Sequence, residues 1–238
     1  MIIHGLQKLT LLDYPGKTAC TIFLGNCNFR CPYCHNQDLV LTPFNMNPIS
    51  EDTLFAFLKK RQGLLDGVCI TGGEPLLHGD LLPLLSSIRD LGFSIKLDTN
   101  GSFPDRLEKY VRMGLLDYVA MDIKNSIHQY QKTTACTSID LSSINKSVQF
   151  LLSGKIEYEF RTTMVKEFHE EKDFLSIGQW ISGAKRYFLQ KFVDSGHLVG
   201  SAFYPTPHFH AFSQKEASQI QTSLLPFVPF TKLRGYDI

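Results

Sequence analysis

Short apolar segments alternate with amphipathic segments along most of the chain. The apolar segments are four to eight residues long and rich in β-branched, aromatic and aliphatic side chains, which is typical of buried strands. Glycine, proline, asparagine or aspartate often follows them and marks a turn. The pattern predicts six strands, over residues 18–24, 68–71, 93–97, 118–123, 158–165 and 186–193.

Between the predicted strands, apolar residues recur at spacings of three and four, as on the buried face of a helix. Ser50 precedes one such segment and suits a helix N-cap, and Gly114 follows another and suits a helix end. The predicted helices are a short one after Cys34, one that begins after Ser50, and others over residues 81–88, 104–113, 141–152, 174–181 and 214–224.

Strands that alternate with helices of this length imply right-handed crossovers and a parallel sheet. Six strand–helix units, rather than eight, predict an incomplete parallel (β/α)6 TIM-like barrel, an α/β fold in one domain over residues 1–238. Residues 1–17 are predicted to be a polar lead-in that ends in a turn. Residues 194–238 are predicted to be a C-terminal extension, with a long loop to residue 210, the last helix, and a short strand over residues 231–233.

The 238 residues carry 24 basic and 23 acidic side chains, which gives a net charge of +1. No overall field would attract nucleic acid or an anionic membrane, so neither is an expected partner. No apolar segment approaches the roughly 20 residues that a membrane helix needs, and the first residues lack the pattern of a secretion signal. We therefore expect a cytoplasmic protein, in a compartment that keeps thiols reduced.

Three of the six cysteines lie close together, as Cys27-x3-Cys31-x2-Cys34. This cysteine loop follows the first predicted strand and is long enough to present three thiolates to one small object. Three ligands leave one iron of a four-iron cluster without a cysteine, which suits a cluster that must bind something else. The other cysteines are scattered singly and are expected to be buried thiols: Cys20, Cys69 and Cys136.

Two other uses of the cysteine loop stay open at this point. A zinc site would need a fourth ligand, and His35 could supply it, although the adjacent Cys34 and His35 suit one tetrahedral ion poorly. A disulfide is disfavoured because three cysteines cannot all pair.

Polar motifs directly follow four of the predicted strands. They are the cysteine loop, Gly72-Gly73-Glu74-Pro75, Asp98-Thr99-Asn100 and Asp122-Ile123-Lys124. Ligands bind at the C-terminal ends of the strands in parallel α/β barrels, so these loops are expected to line one cavity. Two carboxylates about 6 Å apart repel by roughly 3 kcal/mol at an effective dielectric near 20, so the three acids predict a cationic ligand.

The cysteine spacing, with Tyr33 directly before Cys34, resembles the signature of the radical S-adenosylmethionine (radical SAM) superfamily. The continuation His35-Asn36 resembles the activating enzymes of glycyl-radical proteins. The whole chain is similar to the longer form of the activating proteins of anaerobic ribonucleoside-triphosphate reductase. The match is most specific over residues 20–36, 71–75 and 98–124.

The resemblance implies a role for each motif. Cys27, Cys31 and Cys34 would hold one [4Fe–4S] cluster and act as catalytic residues. The Gly-Gly-Glu-Pro motif would contact the methionine amino group of SAM, Lys124 would face its carboxylate, and the residues around Cys34 would pack against its adenine. The cofactor contacts implied in this way are Tyr33, His35, Asn36, Gly72, Gly73, Glu74, Asp98, Asn100, Asp122 and Lys124.

Several other residues have roles that the sequence leaves open. Arg161, on the fifth predicted strand, could face the cavity or pair with Glu157 or Glu159. Asp13 and Lys17 could flank the cavity or serve only in a turn. Related activating enzymes carry a late histidine that contacts the cofactor, and no motif distinguishes the candidates here, which are His197, His208 and His210.

The resemblance also implies the reaction of an iron–sulfur oxidoreductase. SAM is cleaved reductively at the cluster to methionine and a 5′-deoxyadenosyl radical. The radical then takes hydrogen from a backbone glycine of a partner glycyl-radical enzyme, here an anaerobic ribonucleotide reductase. An electron donor such as flavodoxin or ferredoxin would reduce the cluster.

Two alternative functions fit these motifs less well. A radical SAM enzyme that acts on a small molecule, such as a 7-carboxy-7-deazaguanine synthase, is disfavoured by His35-Asn36 and by Asp122-x-Lys124. A zinc-stabilised α/β binding module without enzymatic activity would leave the acidic strand ends unexplained.

Overall fold

The computed structural model describes residues 1–203 and 208–236. Its strands form one eight-stranded sheet, in which they lie in sequence order. They are β1 Ile3–Thr10, β2 Ala19–Leu24, β3 Gly67–Gly72, β4 Ser94–Thr99, β5 Tyr118–Asp122, β6 Glu157–Met164, β7 Tyr187–Lys191 and β8 Thr231–Arg234. The central apolar segments form strands that are buried on both faces, as Val68, Cys69 and Ile70 show in β3.

Helices connect the parallel strands and bury one apolar face each. They are α1 Gln37–Leu41, α2 Glu51–Lys59, α3 Leu81–Asp90, α4 Pro104–Arg112, α5 Tyr130–Thr134, α6 Leu141–Leu152, α7 Glu171–Trp180 and α8 Gln214–Leu224. The bounds of α6 and α8 are those predicted, and Ser50 caps α2 by accepting a hydrogen bond from the Thr53 N–H at 3.2 Å. The short helix α5 was not predicted. Among the helices of the described residues, none has the length and apolar character required to cross a membrane.

The predicted incomplete barrel is confirmed. Strands β2 to β8 run parallel, and β8 extends the sheet by pairing with β7, with Thr231 opposite Tyr187. Within residues 1–203 and 208–236, no strand pairing joins β8 to β1, so the sheet keeps two edges. Six strand–helix units, from β2 to β7, therefore make up most of the barrel.

The N-terminal segment is a strand, so the prediction of a polar lead-in over residues 1–17 was wrong. Strand β1 pairs with β2 in antiparallel orientation, with Leu6 opposite Ile22. The sequence of β1 mixes apolar and polar residues, because some side chains, such as Ile3, are buried while others, such as Gln7, are exposed. An edge strand that faces water lacks the continuous apolar run of a buried parallel strand.

The predicted loop over residues 194–210 is only partly described, because residues 204–207 lie outside the described ranges. In its described part, a 3₁₀ turn spans Val199–Ala202. Leu198, Val199 and Gly200 are buried there. This segment is ordered by its packing on the cysteine loop, which gives it a fixed path that the sequence pattern did not indicate.

Candidate active site

A cavity of about 520 Å³ lies at the C-terminal ends of strands β2 to β7. All four strand-end motifs contribute to its lining, as predicted. Asp13 lines the cavity too and accepts a hydrogen bond from Thr21 Oγ1 at 2.5 Å, whereas Lys17 lies over the Tyr14 ring. The predicted site residues in the lining are Cys27, Cys31, Tyr33, Cys34, His35, Asn36, Gly72, Gly73, Asp98, Asn100, Asp122 and Lys124.

The three cysteines of the loop open onto this cavity together. Burial raises the pKa of the Cys27 thiol to about 11 and also raises the pKa values of the Cys31 and Cys34 thiols, while the positive charge of Lys124 opposes the shift. The thiols are therefore neutral when nothing is bound, and a metal centre that binds them as thiolates must displace their protons. Three thiols on one cavity, with a lysine beside them, fit a cluster that has three cysteine ligands.

The remaining cysteines do not join this group. Cys20 and Cys69 are fully buried in β2 and β3, as expected, and Cys136 is half-buried in a loop. Within residues 1–203 and 208–236, no three cysteine, histidine, aspartate or glutamate side chains are grouped so that they could hold a single metal ion. The zinc site closed by His35 therefore finds no support in the geometry.

Two glycines hold the cysteine loop against the end of β3. The Gly73 N–H donates to the Leu24 carbonyl at 2.8 Å, and the Glu74 N–H donates to the Asn26 carbonyl at 2.8 Å. A Cβ atom on Gly73 would lie 1.8 Å from the Asn26 carbonyl oxygen, and Gly72 has a φ of +119°. The diglycine is thus required by the close approach of two backbones, whatever ligand binds there.

Two further segments secure the same loop. The Asn36 amide donates to the Gly72 carbonyl at 2.9 Å, which ties the residues after Cys34 back to β3. On the other side, the N–H groups of Val199 and Gly200 donate to the carbonyls of Cys34 and Pro32, each at 2.8 Å. Sequence reasoning missed this C-terminal contact because backbone hydrogen bonds between distant segments leave no local signal.

Glu74 is fully buried and does not line the cavity. Its carboxylate accepts hydrogen bonds from the Leu76 N–H at 3.0 Å, from Thr99 Oγ1 at 2.8 Å and from the Asn100 N–H at 2.7 Å. Burial raises the pKa of Glu74 to about 7, and these donors oppose the shift. The side chain thus braces the end of β4, and its predicted contact with a cofactor is not a direct one in this geometry.

We expect the Glu74→Gln variant to lack the part of the pH dependence of folding stability that Glu74 causes in the metal-free protein. The folded state holds the Glu74 proton more tightly than the unfolded state, because the folded pKa of about 7 exceeds the usual 4.5. The native protein should lose about 3 kcal/mol of stability relative to the variant as the pH rises across this interval. Urea unfolding of both proteins at a series of pH values measures the difference, and a constant difference would contradict the expectation.

The acidic strand ends are neutralised from within, which corrects the prediction that they require a cationic ligand. Arg161 donates to Asp122 through Nε at 2.8 Å and to Asp98 through Nη1 at 3.2 Å. Lys124 Nζ lies 3.0 Å from Asp122, and the buried Lys96 pairs with Asp98. Burial alone would raise the pKa values of both aspartates, but the positive charge of Arg161 and of the lysines holds them below their usual value.

Arg161 therefore faces the cavity and does not pair with Glu157 or Glu159. Sequence reasoning did not identify Lys96 as a partner of Asp98. The signal that could have found it is strand periodicity, since residues two apart in a strand point to the same face and Lys96 precedes Asp98 by two.

None of the candidate late histidines lines the cavity: His197, His208 and His210. His210 instead lies 2.7 Å from Glu167 at the surface. The buried His169, which sequence reasoning did not single out, donates from Nε2 to the Lys124 carbonyl at 2.9 Å. Burial lowers the pKa of His169, and its Nδ1 lies 3.3 Å from the Val165 backbone nitrogen and 3.0 Å from the Val165 carbonyl oxygen. His169 thereby fixes the backbone that carries Lys124.

Known proteins resemble this chain in sequence and in fold. A protein of Methanocaldococcus jannaschii named "Putative glycyl-radical enzyme activating enzyme" is 31% identical over 198 residues, which is 80% of each chain. A 7-carboxy-7-deazaguanine synthase of Thermoplasma acidophilum is 23% identical over 206 residues, which is 83% of this chain and 90% of that protein.

A crystal structure of a domain of pyruvate-formate lyase-activating enzyme from Bacteroides vulgatus is similar with a TM-score of 0.57 and 17% identity. The match covers 71% of this chain and 99% of that one, and it supports the fold alone. The model of the radical SAM superfamily matches residues 21–172, which is more than half of the chain. This chain therefore belongs to the radical SAM superfamily, whose enzymes use a [4Fe–4S] cluster held by three cysteines together with SAM.

Proposed function

We propose that this protein is a glycyl-radical enzyme activating enzyme and that its partner is an anaerobic ribonucleoside-triphosphate reductase. The observation that carries the activase function is the 31% identity to the M. jannaschii relative, which extends over 80% of both chains. The choice of the reductase as partner rests on the resemblance of the whole sequence to its activating proteins.

In this proposal Cys27, Cys31 and Cys34 hold the cluster. When cluster and SAM are both bound, they supply the one-electron cleavage of a carbon–sulfur bond, which no protein side chain can supply. The chain itself shields Cys31 from water, since this residue is only 6% exposed, and it fixes the loop by the backbone contacts with β3 and with the turn at Val199–Ala202.

The cavity wall formed by β3 to β5 would orient SAM. Lys124 lies in the lining and would bind the methionyl carboxylate of SAM. The backbone carbonyls near Gly73 would accept hydrogen bonds from its amino group. Tyr33 is buried, and its ring packs against Phe168 with the centroids 5.5 Å apart, which fixes the ring in the cavity lining, where adenine would pack. His35, Asn36, Asp98, Asn100 and Asp122 complete the proposed contacts.

The opposite wall of the cavity is left for a substrate. It is formed by β1, β6 and β7, and beside the charged Arg161 and Lys191 it carries uncharged polar side chains at Gln7, Thr163 and Gln190. Such groups suit the main-chain amides of a glycine-containing segment, because they can donate to carbonyls and accept from N–H groups. In the described part of the chain, the sheet edges at β1 and β8 are not paired with each other, so a segment of another protein could enter between them.

A second candidate function is the synthesis of a small molecule. It is favoured by the deazaguanine synthase relative, because that similarity spans 90% of the relative's length. The lower identity of 23%, together with the lysine-paired Asp122 in Asp122-x-Lys124, places this candidate behind the activase.

A radical-transfer experiment tests the proposal. The protein is reconstituted anaerobically with iron and sulfide, reduced with flavodoxin, ferredoxin or dithionite, and mixed with SAM and an anaerobic ribonucleotide reductase. We expect a glycine radical on the reductase by electron paramagnetic resonance, and no signal when the Cys31→Ala variant is used. Cleavage of SAM without a radical on any glycyl-radical enzyme would overturn the activase function. A radical on a different glycyl-radical enzyme alone would overturn only the choice of partner.

A further inference from the structure

The side chain of Asn100 links the end of β4 to the first cysteine of the loop. Asn100 is only 5% exposed, and its Nδ2 lies 3.9 Å from Cys27 Sγ and 2.9 Å from Asn28 Oδ1. An amide nitrogen carries two hydrogens, so it can serve both acceptors. Cys27 Sγ also accepts from the Phe29 N–H at 3.4 Å. Among the residues that the structure describes, this sulfur thus has two donors, and that of Asn100 is the one that belongs to a side chain.

The orientation of the Asn100 amide is determined by its neighbours. The Ser102 N–H donates to Asn100 Oδ1 at 2.9 Å, which fixes the oxygen and turns Nδ2 toward the cysteine loop. The backbone N–H of Asn100 donates to Glu74 at 2.7 Å, so the buried carboxylate holds the residue from behind. A flipped amide would set its oxygen against both Asn28 Oδ1 and the sulfur.

We propose that Asn100 is a positioning residue that sets the reduction potential of the cluster by donating a hydrogen bond to Cys27 Sγ. Reduction adds negative charge, part of which is carried by the cysteine sulfurs. A hydrogen-bond donor stabilises the reduced state more than the oxidised state, so it raises the reduction potential. The buried setting strengthens this effect, because little water is available to screen the charge.

This role is additional to the contact with SAM that is proposed above for Asn100. It also gives Glu74 an indirect function. The Glu74 carboxylate does not line the cavity, but it fixes Asn100, whose side chain reaches Cys27 Sγ. The inference requires the cluster but neither SAM nor a partner, so it can fail or succeed independently of the proposed activase function.

The test is an electrochemical titration of reconstituted protein in the absence of SAM. The native protein is compared with Asn100→Ala, which removes the donor, and with Asn100→Asp, which keeps the shape, removes the donor and adds negative charge. The matched control is Ser147→Ala, which removes a buried hydrogen bond of 2.7 Å to the neighbouring Gly101 carbonyl, a bond that involves no cysteine sulfur. The midpoint potential is followed by the electron paramagnetic resonance signal of the reduced cluster.

We expect a more negative midpoint potential in Asn100→Ala, a larger negative shift in Asn100→Asp, and an unchanged value in Ser147→Ala. An unchanged potential in both Asn100 variants, or an equal shift in Ser147→Ala, would overturn the proposal. Failure of both Asn100 variants to retain about four irons per chain, with Ser147→Ala intact, would also overturn it, because Asn100 would then serve to build the loop.

Discussion

Substitution of Gly73 by alanine is expected to abolish retention of the cluster and to destabilise the fold. The added Cβ would lie 1.8 Å from the Asn26 carbonyl oxygen, and neither atom belongs to a flexible side chain. The backbone of the cysteine loop must therefore move away from β3, which breaks the hydrogen bond from Gly73 to Leu24. Overpacking of this kind costs about 3 kcal/mol or more.

The matched control is Gly79→Ala. A Cβ atom on Gly79 meets nothing closer than an Arg106 guanidinium nitrogen at 3.9 Å, so we expect a change within about 0.5 kcal/mol and a full complement of iron. Iron and sulfide analysis after anaerobic reconstitution measures the first effect, and urea unfolding of the metal-free proteins measures the second. A Gly73→Ala protein that binds as much iron as Gly79→Ala would show that the loop can shift without loss of the site.

Replacement of Arg161 by methionine is expected to cost about 3 kcal/mol in the free energy of unfolding at neutral pH. The Arg161 side chain is only 12% exposed and bridges Asp98 and Asp122, so the variant leaves two mostly buried carboxylates that repel each other without the bridging charge. Lys96 and Lys124 still pair with one aspartate each, which limits the loss of stability.

The pH dependence of this stability loss distinguishes lost charge interactions from lost packing. Arg161 lowers the pKa values of Asp98 and Asp122 in the folded protein, so its stabilising effect is present above the usual aspartate pKa of 3.8 and is lost as the pH falls below it. The deficit of Arg161→Met should therefore shrink in acid, whereas a deficit caused by lost packing would persist. Arg112→Met, which removes an exposed pair with Glu108, should change stability by less than about 1 kcal/mol at any pH.

Local sequence patterns predicted the helices that bury one regular apolar face. Helix α6 was predicted with the bounds that it has, because its apolar residues form one regular face, and the structure adds an N-cap by Asp140. Helix α8 behaves in the same way, with Ser213 and Glu216 forming a capping box. The edge strand β1 was not predicted, because it needs β2 as a partner before its mixed pattern has a buried side.

The same distinction applies to the site. The spacing of the three cysteines is a local property, and so is the position of each polar motif after a strand. What surrounds those residues is not local: Lys96 and Arg161 come from different strands, and their effect on Asp98 and Asp122 depends on distances between side chains.

The sequence by itself determined the succession of strands and helices, the open parallel barrel, and the residues that gather at its C-terminal end, because periodicity and chain order specify them. Only the tertiary structure decided which charges neutralise each other, that Glu74 points away from the cavity, and that the segment around Gly200 closes over the cysteine loop. Those features depend on atoms that are distant in sequence and meet within a few ångströms, and no pattern along one segment encodes such a meeting.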